Sequence, residues 1–390
     1  MSQNRLKIGI FVDAFYPMVD GVTVVVNMYA TQMQQVADVT VFAPQSRDKT
    51  YVDNFPYKVV RSKKMMIPLT DYDYSTPLFD RHFRRSLRQS KLDIVHIHSP
   101  FSIGKIGVDY AKKHQIPCIA TLHSQYKMDF QQRTKSEKIA DMMVKEIMKV
   151  FNRVNEAYAV NHKVAQIFQS YGATFQPLVR HNGTDLLPLP QDDSLQQLRK
   201  KHQVLPHEKL FLFVGRIDVI KNILFIIDSL VHVKKSKLAF KMFFIGKGPD
   251  EEKLKEKIHE AKLESQVFML GKIIDRTELA RYYQMADLFI FPSIYDASSL
   301  VQIEAASQRT PALFLEGAAT ADTVTPEVNG FLAYHDPILY ARKIVSICEN
   351  PEKLEEVSEN AFRDLYKPWK EIIEDTLTTY ERLLSTHRHI

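Results

Sequence analysis

Asp296 and Glu304 stand eight residues apart in the stretch 292–317, PSIYDASSLVQIEAASQRTPALFLEG, where a strand-like run gives way to a helical one. A carboxylate is an acceptor-only group, and its two oxygens suit a vicinal diol of a sugar. Between the two acids, the backbone of Ser298, Ser299, Leu300 and Val301 would offer N–H groups to a phosphate. A structural alternative stays open, in which Asp296 caps the helix and Glu304 complements its dipole. Further upstream, FVGRIDVIKN places Arg216 at a strand end and Lys221 five residues later at a helix start. Two cations beside a helix N-terminus can hold a diphosphate, although a solvated basic loop would read the same way. Lys247 in IGKGPDEEKL is a weaker signal of the same kind. In the first half, HIHSPF and TLHSQY put His98 and His123 at strand ends, as catalytic or as structural imidazoles. Gly21 in DAFYPMVDGVTVVVN opens a helix, either because a ligand approaches its backbone or because a tight turn needs glycine. No G-x-G-x-x-G follows a strand, so a dinucleotide site lacks its fingerprint.

These residues need elements to hold them. Short β-branched runs (KIGIFVD, ADVTVFAP, KVVRS, DIVHIHS, PCIATLH, EAYAVN, PLVRHNG) alternate with amphipathic segments such as 22–35, 103–114 and 135–150. From about residue 209 the rhythm restarts with KLFLFVGR, KMFFIGKG, VFMLGK, LFIFPS and PALFLEG. Near-continuous apolar strands between helices predict an α/β fold of two doubly wound parallel sheets facing across a cleft, with ligands at the carboxyl ends of the strands. A chain of 390 residues fits two such domains. The segment 184–207, rich in Pro and charge, reads as the linker.

The composition, 45% hydrophobic and 25% charged, is that of a globular protein, and the apolar runs fall far short of the roughly 20 residues of a membrane span. The N-terminus MSQNRLKIGIFVDAF reads as a first strand rather than a signal peptide. Cys118 and Cys348 lack metal-like spacing, which predicts a reduced, cytoplasmic setting. Charge divides unevenly. Residues 1–190 carry 25 Lys+Arg against 16 Asp+Glu, a net of +9, and the remainder carries 27 against 30, a net of −3. A basic first half would meet an anionic partner, either nucleic acid or a membrane face.

Taken in order, DAFYPMVDGV, DIVHIHSPF, TLHSQY, HNGTD, GRIDVIKN, GKGPDEEKL, LGKI, the Asp296/Glu304 pair and the NGFLA loop after Thr325 resemble the retaining nucleotide-sugar glycosyltransferases of family four, which have the GT-B fold. The DASSLVQIEAASQ stretch is similar to a diacylglycerol and lipid glucosyltransferase subgroup. The resemblance implies an acceptor domain over residues 1–190, a nucleotide-sugar domain over 191–365, and a last helix, 366–390, crossing back to the first domain. It implies that Glu304 holds the ribose, Arg216 and Lys221 the diphosphate, and Ile273 the base. Ser299, Leu300, Val301 and Gly21 would lie along the phosphates, with Asp296 and His123 catalytic at the sugar. The partners implied are a nucleotide sugar, expected to be UDP-glucose, and a lipid or glycan acceptor, with no nucleic acid, cofactor or metal required. The family usually has Glu, Gly and Gly where Asp296, Ser299 and Arg309 stand, which raises a rival reading as a non-catalytic partner subunit. A two-domain sugar-nucleotide epimerase fits these motifs less well.

For the acceptor side, the run from Phe79, FDRHFRRSLRQSKLD, spaces Arg81, Arg84, Arg85 and Arg88 at helical intervals around Phe83 and Leu87. Lys63 and Lys64 in RSKKMMIP add charge beside two methionines. With His98, these arginines are the expected acceptor or membrane residues, docking the protein peripherally on anionic lipid. A solvated helix face is the alternative.

Overall fold

The computed structural model describes residues 5–65 and 74–387 and divides into two compact units. Unit 1 comprises Met1–Asn182 with Trp369–Ile390, and unit 2 comprises Gly183–Pro368.

In unit 1, β1 (Lys7–Phe11) leads into α1 (Gly21–Met33), β2 (Asp38–Pro44) and β3 (Lys58–Ser62). A two-residue ribbon, β4 (Lys64–Met65) with β5 (Tyr74–Ser75), precedes α2 (Arg81–Ser90) and β6 (Ile94–Ile97). Then follow α3 (Ser102–His114), β7 (Cys118–Leu122), α4 (Tyr126–Thr134), α5 (Glu137–Phe151), β8 (Glu156–Ala159), α6 (His162–Ser170) and β9 (Leu178–Val179). The strands form one parallel sheet in the order β3-β2-β1-β6-β7-β8-β9. Helices cover both faces, so β6 and β7 are buried at every position and are apolar apart from His96 and Thr121, which bond each other.

Unit 2 repeats the plan. It contains α7 (Asp193–Lys201), β10 (Lys209–Val214), α8 (Ile223–Lys235), β11 (Phe240–Ile245), α9 (Glu251–Glu260), β12 (Val267–Gly271), α10 (Arg276–Met285) and β13 (Leu288–Ile290). It ends with α11 (Leu300–Ser307), β14 (Ala312–Leu315), β15 (Phe331–Ala333), α12 (Pro337–Cys348) and α13 (Pro351–Leu365). Its parallel sheet runs β12-β11-β10-β13-β14-β15. Two expectations are corrected here. The linker stretch 184–207 carries a helix, α7, and Leu186 and Val204 from it join the core of unit 2. The NGFLA loop contains a strand, because Phe331–Ala333 takes the open edge of β14.

The last helix, α14 (Trp369–His387), belongs to unit 1. Its buried stripe of Trp369, Ile372, Ile373, Tyr380 and Leu383 recurs at three- and four-residue steps. Burying each such side chain is worth roughly 1.5–3 kcal/mol.

In both sheets the order reverses beside the first strand of the unit. The loops after β1 and β6, and after β10 and β13, therefore diverge and leave a crevice at the strand ends. In unit 2 that crevice is shaped by glycine. A Cβ on Gly246, whose φ is +147°, would lie 1.8 Å from the carbonyl oxygen of Gly215, and one on Gly248 would lie 2.1 Å from that of Ile217. The loop after β11 thus presses directly on the backbone that carries Arg216, fixed by Ile217 N–H to Lys247 O at 3.2 Å. Gly246→Ala is expected to destabilise unit 2 by about 2 kcal/mol or more, from strain and backbone clash together. Urea denaturation checks this, and a midpoint equal to wild type would mean that the loop yields freely.

Candidate active site

At the crevice of unit 2, Gly215 follows β10 and a single 3-10 turn, Val219–Lys221, comes before α8. Asp218 caps that turn by accepting from Ile220 N–H at 3.1 Å. Asn222, in the left-handed conformation at φ +62°, donates to Pro292 O at 3.1 Å and so ties the loop after β10 to the end of β13. The result is that Lys221 Nζ reaches Asp296 across the strand reversal and pairs with it, both side chains being largely buried. Arg216 is set apart, mostly exposed, with Nε 3.5 Å from Asp218 Oδ2. The two cations expected at a diphosphate are therefore in one loop but hold different carboxylates. Lys247 is exposed on the neighbouring loop.

Helix α11 begins at Leu300, and its N-cap is Ser299, whose Oγ accepts from Gln302 N–H at 3.1 Å. The capping alternative for Asp296 is thereby corrected. Leu300 and Val301 sit in the first turn, where backbone N–H groups have no acceptor within the helix. Arg309, at the family's glycine position, adopts φ +59° and is held there by Glu359 at 2.7 Å and by the Phe362 ring at 4.1 Å. The departure from glycine is thus compensated by α13. Ile273 packs half-buried against the core beside β12.

Glu304 lies one turn further along α11. Its Oε1 accepts from Arg276 Nη2 at 2.7 Å and its Oε2 from Tyr283 Oη at 2.9 Å. Arg276 in turn grips Asp185 through Nε at 3.2 Å and Nη2 at 2.5 Å. Burial pushes the Glu304 carboxyl above its ordinary range, and Arg276 opposes that rise. Arg276, Tyr283 and Asp185 were missed in the sequence. Asp185 closes the HNGTD motif, and Arg276 and Tyr283 are two helical turns apart, but neither spacing says that they converge on Glu304.

The corresponding crevice of unit 1 is already filled by the chain itself. Asp13, just after β1, accepts from Ile103 N–H at 2.7 Å, Gly104 N–H at 3.2 Å, Ser99 Oγ at 2.7 Å and Ser102 Oγ at 3.3 Å. Its carboxylate takes the place at the N-terminus of α3 that an anion would otherwise occupy. Gly21 heads α1 behind a capping box of Asp20 and Thr23. Its φ is not left-handed and an added Cβ would touch nothing, so the chain itself makes no demand for glycine there.

His98 and His123 come together: His98 Nδ1 and His123 Nε2 are 2.9 Å apart and the rings stack. His98 is 1% exposed, which corrects its assignment to the acceptor face, since it lies beneath His123. His96, two residues back on the same side of the sheet, bonds Tyr380 Oη at 2.6 Å and Thr121 Oγ1 at 2.7 Å. Burial pushes His96 and His123 down to about 3 and His98 well below its usual value, so all three are neutral.

On α2, capped by Asp80, the arginines Arg81, Arg84, Arg85 and Arg88 are exposed. Phe83 and Leu87 are not lipid-facing, as Phe83 packs edge-on against Phe42 in the core. The apolar surface beside the arginines is instead Leu78 and Phe79, 59% and 87% exposed. Lys63 is exposed nearby, while Met66 and the Met65 side chain lie outside the described residues. Among the described residues no helix is long and apolar enough to cross a membrane.

Two parallel-sheet Rossmann-like units are the architecture of the GT-B fold. Residues 19–186 match Glycosyltransferase Family 4 and residues 195–364 match Glycosyl transferases group 1, and the chain belongs to these glycosyltransferases. It is 28% identical to an alpha-monoglucosyldiacylglycerol synthase of Acholeplasma laidlawii, over 91% of this chain and 92% of that protein. The protein of the same name from Streptococcus pneumoniae is 26% identical, over 92% and 83%. Among solved structures, Anabaena HepE in complex with UDP superposes with a TM-score of 0.80 at 16% identity, covering 97% of this chain and all of that one. A sucrose-phosphate synthase from Thermosynechococcus elongatus gives 0.79 at 19% identity, covering 98% and 100%. Both likenesses establish the fold.

The buried imidazoles make a stability prediction. Their folded pKa values lie far below the unfolded value of 6.5, so below about pH 6.5 the unfolded chain takes up protons that the folded chain refuses. Stability is therefore lost as pH falls from 6.5, by up to roughly 1.4 kcal/mol per pH unit for each imidazole. Denaturation between pH 7.5 and 5 should show this slope, shallower by about one proton in His98→Asn. Equal slopes in wild type and variant would mean that His98 is protonated in the folded protein.

Proposed function

We propose that this enzyme moves glucose from UDP-glucose to a diacylglycerol-type membrane lipid with retention of anomeric configuration. The observation that carries the reading is the juxtaposition at the crevice of unit 2. Lys221, Arg216 and the first turn of α11 offer positive charge and N–H donors to a diphosphate, and Glu304 one turn further on offers acceptors to the ribose hydroxyls. In support, the relatives named above are lipid glucosyltransferases, and a structural neighbour was solved with UDP.

In this reading the bond between the anomeric carbon and the diphosphate breaks while the acceptor oxygen attaches on the same face. The acceptor's hydroxyl proton passes to the departing diphosphate. Lys221, Arg216 and the α11 backbone stabilise the negative charge that develops there, so the reaction needs no metal. Asp296, beside Lys221, orients the sugar as the diphosphate takes that cation. His123 is neutral, so it serves the sugar as a hydrogen-bonding group rather than as a charge. Gly21 lets a donor approach the start of α1 without a side chain in the way.

The acceptor reading rests on Leu78 and Phe79 beside Arg81, Arg84, Arg85, Arg88 and Lys63. Exposed rings and cations side by side fit an anionic bilayer surface, with about 1 kcal/mol from each cation near it. We propose this as a peripheral contact on the cytoplasmic face.

The test uses vesicles containing diacylglycerol and anionic lipid, a panel of nucleotide sugars, and both UDP release and product anomer as readouts. UDP-glucose should give an α-linked glucolipid. Replacing Arg81, Arg84, Arg85 and Arg88 together by Gln should abolish transfer to vesicle lipid while slow hydrolysis of the donor continues. Turnover with a different nucleotide sugar, or equal lipid transfer by the variant, would overturn the donor or the acceptor half of the reading respectively.

A further inference from the structure

The contacts around Glu304 are more elaborate than a ribose-binding carboxylate requires. An ionised carboxylate has about four acceptor sites, two on each oxygen. Arg276 Nη2 takes one on Oε1, and Tyr283 Oη takes one on Oε2. One acceptor site then remains on each oxygen, which matches the two hydroxyls of a ribose diol. Arg276 and Tyr283 lie seven residues apart on α10, two turns along one face, so a single helix sets the carboxylate's orientation. Arg276 is itself oriented before it reaches Glu304, because Asp185 grips both its Nε and Nη2.

We propose that Arg276 is a positioning residue for nucleoside recognition, holding the Glu304 carboxylate in place as an acceptor-only group for the two ribose hydroxyls. The proposal rests on the reading of Glu304 as the ribose-binding residue. It adds the group on which that residue depends. The groups facing Glu304 are Arg276 and Tyr283 from α10 and Asp185 from the segment entering unit 2. Of these only Arg276 is cationic, while burial and Asp185 both favour protonation of Glu304. Without the guanidinium, Glu304 takes up a proton more readily, one oxygen becomes a donor, and the match to a diol is lost. That loss has a sign in pH. As pH rises the variant's Glu304 ionises again and recognition returns, which a purely steric role for Arg276 would not produce.

Calorimetry of UDP and 2′,3′-dideoxy-UDP provides the test, on wild type, Arg276→Met, Arg276→Lys and Glu304→Gln between pH 6.5 and 8.5. Dissociation constants are read as ratios to wild type, so that titration of the nucleotide cancels. Arg276 is 43% exposed, so these variants are expected to fold, and a melting curve checks it. Arg276→Met and Glu304→Gln should each weaken UDP roughly tenfold at pH 7, the size of one charge-assisted hydrogen bond, and leave dideoxy-UDP nearly unaffected. The Arg276→Met deficit should shrink toward pH 8.5, that of Glu304→Gln should not, and Arg276→Lys should retain most of the affinity. A deficit in Arg276→Met that is the same at every pH would mean that the guanidinium touches the nucleotide itself, and would overturn the proposal. So would wild-type affinity in Arg276→Met while Glu304→Gln is impaired. Unchanged UDP binding in Glu304→Gln would instead remove the ribose reading, and the proposal with it.

Discussion

A single ion pair, Lys221 with Asp296, spans the point where the sheet of unit 2 reverses its strand order. Parallel strands on either side of a reversal send their loops apart, and the crevice left behind has backbone N–H groups and few side chains to fill it. A lysine placed there alone would be a poorly hydrated cation, and an aspartate alone a poorly hydrated anion. Pairing them balances the two charges at the crevice. The surrounding structure serves that placement. Asn222 ties the two loops together, Asp218 forms the turn that presents Lys221, and the glycines after β11 let a second loop press the first into position.

Unit 1 has the same strand reversal but resolves it differently. Asp13 occupies the N-terminus of α3 and accepts from the backbone donors of Ile103 and Gly104 there. Of the three neutral imidazoles in this unit, His96 is held by Tyr380 from the last helix and by Thr121, and His98 and His123 hold each other. Completing the core with α14 is thus also what orders the imidazole cluster.

Much of this was legible in the sequence because buried parallel strands are predominantly apolar. KIGIF, CIATL and KLFLFV declare themselves without reference to partners. Elements whose existence depends on a neighbour were not legible. The strand at Phe331–Ala333 is three residues long and forms because β14 offers an open edge, and α7 has no buried residue by which to announce itself. The site shows the same divide. Asp296 and Glu304 stood out by type and spacing, but each was paired with a residue distant in the chain, Lys221 and Arg276. The placement of Phe83 and Leu87 shows the same limit. Helical spacing placed Phe83 and Leu87 among the arginines, but it could not say that β2 would claim that side of the helix and leave Phe79 as the exposed ring.

If the Lys221–Asp296 pair is the resting state of a diphosphate site, the two residues must respond to ligand in opposite senses. Calorimetry of UDP binding to wild type, Lys221→Ala, Asp296→Asn and the double variant measures this directly. Lys221→Ala should weaken UDP by about 1.5–3 kcal/mol, the range for a lost charge-assisted contact. Asp296→Asn should bind UDP as well as wild type or better, because it removes the competitor for Lys221. Equal weakening in both single variants would instead mean that the pair is a structural strut whose integrity the site needs, and that the diphosphate is held elsewhere.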